Sequence, residues 1–286
     1  MIGRGPVSEE VVTNDLAFVM GGSSLGMALA TWGVMEHYAW KHATILLDAN
    51  SFTNLYSQFA ETLLRASRSN RISGISLSLI SIKQITEANL VKSLKTAQLQ
   101  SRVMIISAPA ATALRMLRIA SRLNMTNGNY AFINFQNTLQ EPYGKLSDFA
   151  NPSPADLPAV QSLIFLTPRQ NELEAQRNKP LNDRLKALSR DLYNATYDED
   201  SQPLDAVVVR ATYDSVDFFM RLLNTSMDTD GKFTCSGRNL ALKATNRTFS
   251  LRTGVSFIDE NGVRQLDTAV YRFSLTTNSM QVSVRT

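Results

Sequence analysis

An α/β fold, with parallel sheet covered by helices on both faces, is predicted by three features of the chain. Short apolar runs alternate with amphipathic segments of helical spacing, the connections between them are brief, and the pattern holds from about residue 25 to about residue 170. With 286 residues, 44% of them hydrophobic, the chain has the length and apolar content for two lobes.

Leu25, Ala28, Leu29, Trp32, Met35 and Ala39 recur at three- and four-residue spacing behind Ser23 and Ser24, which predicts a capped amphipathic helix. ATILLD at 43–48 follows as a strand buried on both faces, and a second helix is expected over about 53–66. The alternation continues with a strand at 75–80, a helix at 87–96, a strand at 103–107, a helix at 110–123 and a strand at 130–135. Polar, proline-containing sequence from Gln136 to Val160 reads as a surface excursion, and SLIFLTP at 162–168 restores the strand pattern. A charged helix is expected up to Tyr193, kinked or restarted at Pro180, and a more apolar helix over 206–223. The end of the chain reads as a closing β-hairpin in which TGVSFID and VRQLDTAVYRFSL flank Asn261-Gly262, whose residues supply positive φ angles.

Composition narrows the function. The net charge of +4 is spread over dispersed Lys and Arg, without the clustered basic face of a nucleic-acid reader, so no nucleic-acid partner is expected. Cys235 is the single cysteine, which excludes an intrachain disulfide and a cysteine-based metal cluster; no metal or cofactor is expected. Leu16–Met35 carries no charge over a membrane-spanning length, but Gly21, Gly22, Ser23 and Ser24 break it into a strand-like and a helical piece. Acidic residues Glu9, Glu10 and Asp15 also argue against a signal peptide in this chain.

Gly22-Ser23-Ser24-Leu25-Gly26 fits G-x-S-x-G, yet a hydrolase of that type needs a histidine after its acid, and the two histidines are His37 and His42. No catalytic residue is assigned and the chain is read as non-enzymatic. Asp198, Glu199 and Asp200 lack the spacing and glycine of a calcium loop, and no phosphate-cradling glycine motif is present. Four sequons, at Asn124, Asn194, Asn224 and Asn246, are candidate glycosylation sites.

Four segments carry a resemblance. HYAWKHATILLDAN, with Trp40 and Lys41, resembles a helix, turn and buried strand of the ligand-binding region shared by natriuretic peptide receptors, other receptor guanylate cyclases and type I periplasmic binding proteins. Residues 102–135 resemble its Arg-Val strand, helix and following strand; ATYDSVDFFMRLLNTS (211–226) its Tyr-Asp helix; and NRTFSLRTGVSFIDENGVRQLDTAVYRF (246–273) its closing segment with Asp-x-Asn-Gly-x-Arg.

The resemblance implies a two-lobed, non-catalytic, extracellular receptor module that transmits binding through reorientation of lobes or of two protomers. A solute- or amino-acid-binding clamshell is the alternative and a serine hydrolase the distant third. It implies a possible homodimer, an unknown peptide or small-molecule ligand, and a membrane link only through parts of a parent receptor. Strand and helix units that open the family's first lobe would precede Val11, so the chain resembles an N-terminally truncated region. Lobe 1 is expected over 11–70, lobe 2 over 71–200, and the return to lobe 1 with the closing hairpin over 201–286. Amino-acid-binding relatives use a hydroxyl-bearing turn where Ser23 and Ser24 stand. That turn, whose helix dipole would favour a carboxylate, together with Asn50 and Phe52 after the 43–48 strand, forms the candidate ligand site.

Overall fold

The computed structural model describes residues 2–3, 18–20, 24–68, 74–137, 139, 141–169, 172–196, 207–227 and 236–285. The chain divides into two compact units, one formed by 1–23 with 169–266, the other by 24–168 with 267–286.

The second unit is an α/β layer structure. Its helices are α1 (Ser24–His37), α2 (Leu55–Arg68), α3 (Glu87–Gln100), α4 (Ala110–Arg122) and α5 (Leu157–Gln161). Its strands are β3 (His42–Asp48), β4 (Ser76–Ile82), β5 (Val103–Ser107), β6 (Ala131–Phe135), β7 (Leu163–Pro168), β11 (Thr268–Ser274) and β12 (Ser279–Arg285). They form one sheet in the order β12-β11-β7-β6-β5-β3-β4. β3 to β7 run parallel, and β11 is antiparallel to β7 and to β12.

Alternation within the apolar runs builds the two covered faces. Ile45 and Leu47 of β3, with Ile105, Ile133 and Leu166 from neighbouring strands, meet Trp32, Phe59 and Leu63 of α1 and α2. Leu46, Met104, Phe132 and Phe165 face the other way, onto Leu90, Leu94, Met116 and Leu117 of α3 and α4. Phe59 and Phe135 stack with ring centroids 3.6 Å apart.

The first unit holds the short parallel pair β1 (Ile2–Gly3) and β2 (Phe18–Val19), helices α6 (Glu172–Tyr193), α7 (Val207–Asn224) and α8 (Gly237–Leu242), and an antiparallel sheet β10-β9-β8. Here β8 is Arg247–Ser250, β9 Val255–Ile258 and β10 Arg264–Gln265. Met20, Phe218, Leu222, Leu251 and Ile258 make its core. α6 continues through Pro180 as a single helix.

Three expectations are corrected. Residues 11–70 and 71–200 do not form separate lobes, because β3 lies between β4 and β5 and hydrogen-bonds to both. A strand apolar on both faces needs a neighbour at each edge, and β3 and β4 are adjacent strands whose connection includes α2. Residues 201–286 do not return together either: the chain leaves the first unit at Leu266 and adds β11 and β12 to the second unit's sheet. The closing hairpin is accordingly shorter than its alternation suggested, with β9 and β10 pairing over two residue pairs before β11 departs to cover the edge of β7. Its turn has positive φ at Gly262 (76°) but not at Asn261. The Asp259 carboxylate accepts the backbone N–H groups of Asn261 and Val263, each at 2.9 Å, and so holds the loop.

Candidate ligand site

From β3 the chain crosses to β4 on one side and then to β5 on the other, so the carboxyl ends of β3 and β5 mark the point where the strand order reverses. Loops leaving two adjacent strands in opposite directions open a crevice there, the usual ligand position in such sheets. Polar residues gather along this edge.

Asp48 ends β3, and burial pushes its carboxyl above the ordinary range, opposed by the Asn50 N–H that it accepts at 3.3 Å and by the Thr112 hydroxyl. Asn50 Nδ2 donates to the Lys83 carbonyl at 2.6 Å, tying the loop after β3 to the exit of β4. Phe52 is 54% exposed and meets Tyr143 edge-on at 5.1 Å. Beneath them, the Tyr56 hydroxyl donates to Gln136 Oε1 at 2.7 Å, and Gln136 Nε2 donates to the Ala108 carbonyl and to Asn134 Oδ1. Ser107 Oγ donates to the Tyr56 carbonyl at 2.7 Å. Burial raises the Tyr56 phenol pKa, keeping the hydroxyl protonated as a donor.

The rest of the edge is less complete. Asn137, just past β6, has neither its amide nitrogen nor its amide oxygen hydrogen-bonded although it is buried, and the buried hydroxyls of Thr167 in β7 and Ser51 in the loop after β3 are likewise without partners. Gln136 N–H donates to the Leu166 carbonyl, which places Asn137 and Thr167 at the ends of the neighbouring strands β6 and β7, on the same edge. Each such group costs about 1–3 kcal/mol when left dry and unpaired, and several on one sheet edge mark it as a place built for something other than stability.

Asn50 and Phe52 stand on this edge, in the loop after β3. Ser24 is buried as the first residue of α1, while Ser23, Gly22, Cys235 and the 198–200 acidic run lie outside the described residues. Sequence reasoning missed Ser51, Asn137 and Thr167; the available signal was a polar residue at or just past the end of an apolar strand run. His42 opens β3, at the opposite end of the sheet from this edge, and His37 is exposed at the end of α1. Among the described residues no group of three His, Cys, Asp or Glu is arranged to hold a metal ion, and no helix is long and apolar enough to cross a membrane. All four sequon asparagines are exposed, and Asn124, Asn194 and Asn246 have φ of 58°, 50° and 53°. Asparagine tolerates this left-handed conformation better than most residues, so three of the four serve the turn backbone whether or not they carry a glycan.

Residues 17–276 match the family described as "Receptor family ligand binding region". Among curated proteins, none matches the chain. Of solved structures, the leucine-binding protein LivK of Thermotoga maritima is similar with a TM-score of 0.58 and 11% identity, covering 100% of this chain and 72% of that one. The amino acid ABC transporter substrate-binding protein of Pseudomonas fluorescens is similar with a TM-score of 0.54 and 13% identity, covering 98% and 70%. At these identities the likeness concerns the fold.

Proposed function

Because the chain belongs to the receptor-family ligand-binding regions, we propose that it takes a small polar ligand of the amino-acid class at the carboxyl edge of the β3–β7 sheet. The unpaired amide of Asn137 carries this reading: buried with both donor and acceptor unused, it offers a ligand the complementary pair that a carboxamide or an α-amino acid can satisfy. Thr167 and Ser51 add hydroxyls, and exposed Phe52 adds an apolar wall. These polar atoms are closed from solvent, so entry requires the edge to open, in keeping with a receptor whose ligand selects one of two arrangements. The solved structures named for leucine and amino acid binding support the ligand class.

Screening the common amino acids by thermal shift, followed by isothermal titration, tests the proposal. At least one should raise the unfolding temperature and lose about tenfold or more in affinity in Asn137→Ala. An amino-acid affinity unchanged by that substitution, or no amino acid bound at all, would remove it.

A second reading, the peptide-responsive region of a receptor guanylate cyclase on the outer face of the plasma membrane, is supported by the motifs at 211–226 and 246–273. It predicts binding of a natriuretic-type peptide with no dependence on Asn137.

A further inference from the structure

Three arginines whose guanidinium groups have no acidic partner among the described residues border one cavity of the first unit, of about 730 Å³. Arg177 and Arg184 come from α6 and Arg252 from the turn between β8 and β9. The same α6 face supplies Leu181, Leu185 and Leu188, because positions 177, 181, 184, 185 and 188 fall at i, i+4, i+7, i+8 and i+11 of one helix. Leu188 is 41% exposed, a large apolar side chain left open to water beside cationic neighbours. Tyr213 of α7 closes one side, and buried Asn178, donating to the Thr253 carbonyl at 3.3 Å, fixes α6 against the β8–β9 turn. Among the described residues no carboxylate lines the cavity. The nearby Asp217 is engaged elsewhere, by Arg221 Nε at 2.9 Å and by the Arg252 backbone N–H at 2.8 Å.

This is a mixed surface of a particular kind. Guanidinium groups match the oxygens of phosphate with paired hydrogen bonds, and three arginines lining one cavity together with leucine side chains suit a head that is anionic and a tail that is not. The volume lies within the range of small-molecule sites. From this convergence of Arg177, Arg184 and Arg252 on a leucine-lined cavity, we propose a second binding site in the first unit, for an anionic amphiphile with a phosphate head. It is separate from the carboxyl-edge site of the second unit and does not depend on it.

Isothermal titration with dodecyl phosphate below its micelle concentration tests the site, with inorganic phosphate, dodecyl maltoside, and vesicles of phosphatidylglycerol or phosphatidylcholine as further arms. Dodecyl phosphate should bind one to one, at least about tenfold more tightly than inorganic phosphate or dodecyl maltoside, because head and tail both contribute. Arg184→Gln and Arg177→Gln should each weaken it about tenfold, whereas Arg190→Gln, elsewhere on α6, should leave it unchanged. Leu185→Asp should weaken dodecyl phosphate with no effect on inorganic phosphate. Binding of phosphatidylglycerol vesicles but not phosphatidylcholine, lost in the same arginine variants, would assign the head to a lipid surface; dodecyl phosphate binding without vesicle binding would assign it to a free amphiphile. Equal affinity for inorganic phosphate, equal affinity for dodecyl maltoside, or indifference to both arginine substitutions in proteins of unchanged circular dichroism would overturn the proposal.

Discussion

Arg264 Nη1 stands 2.7 Å from Asp214 Oδ2, where the carboxylate is fully buried and the guanidinium side chain retains 11% exposure. Asp214 belongs to the Tyr-Asp pair of α7 and Arg264 to the Asp-x-Asn-Gly-x-Arg stretch, so two separated sequence motifs meet in one ion pair. The Thr253 hydroxyl lies 2.6 Å from both carboxylate oxygens. The pair pins β10 to α7 just before the chain leaves the first unit at Leu266.

Its two halves should respond unequally to substitution. Arg264→Ala leaves a buried carboxylate without its cation and should cost about 3–5 kcal/mol. Asp214→Asn keeps an acceptor for Thr253 and frees an arginine that can turn toward water, so it should cost clearly less. Urea unfolding followed by circular dichroism ranks them, and equal losses would show that the contact matters for packing and not for charge.

The β9–β10 turn makes a prediction at single-residue resolution. Gly262, at φ 76°, should lose about 1 kcal/mol or more as Gly262→Val, since a β-branched side chain resists that conformation. Asn261→Ala should change stability by only a few tenths, because Asn261 does not hold a positive φ and contributes its backbone N–H to Asp259. A large loss in Asn261→Ala would mean that its side chain supports the turn.

Asp48 ties stability to pH. Its folded pKa is raised by burial, so the native state holds this proton more tightly than the unfolded chain does, and stability falls as the proton is removed above the ordinary carboxylate range. Asp48→Asn abolishes that loss. The difference in unfolding temperature between variant and wild type should therefore grow in the variant's favour from about pH 4 to about pH 7. A difference independent of pH would place the buried charge elsewhere.

The strands and helices of the second unit were legible because β3, β5, β6 and β7 are apolar on both faces, a pattern that parallel sheets impose and loops do not. Which strands would pair was not legible. Val270 and Tyr271 alternate equally well as a hairpin partner for β9 or as a cover for β7, and β7's open edge decides between them. At the candidate site, Asn50 and Phe52 were visible as a polar turn after a buried strand. Thr167 was not, because a threonine near the end of an apolar run reads as an ordinary strand residue until its surroundings are known.

Thr167 also gives the sharpest test of the carboxyl edge. Its side chain is fully buried and its hydroxyl unpaired, so in the ligand-free protein Thr167→Val replaces a dry polar atom by a methyl group of nearly the same shape. That exchange should raise stability by about 1 kcal/mol or more, the reverse of the usual effect of a buried substitution. The same change removes a hydroxyl that a bound amino acid would use, so affinity should fall by about tenfold while the fold gains. Chemical denaturation without ligand and titration with the amino acid found in the screen separate the two effects. A gain in stability with unchanged affinity would place the ligand away from β7, and a loss of stability would show that the hydroxyl has a structural partner and that this edge is not held in reserve for a ligand.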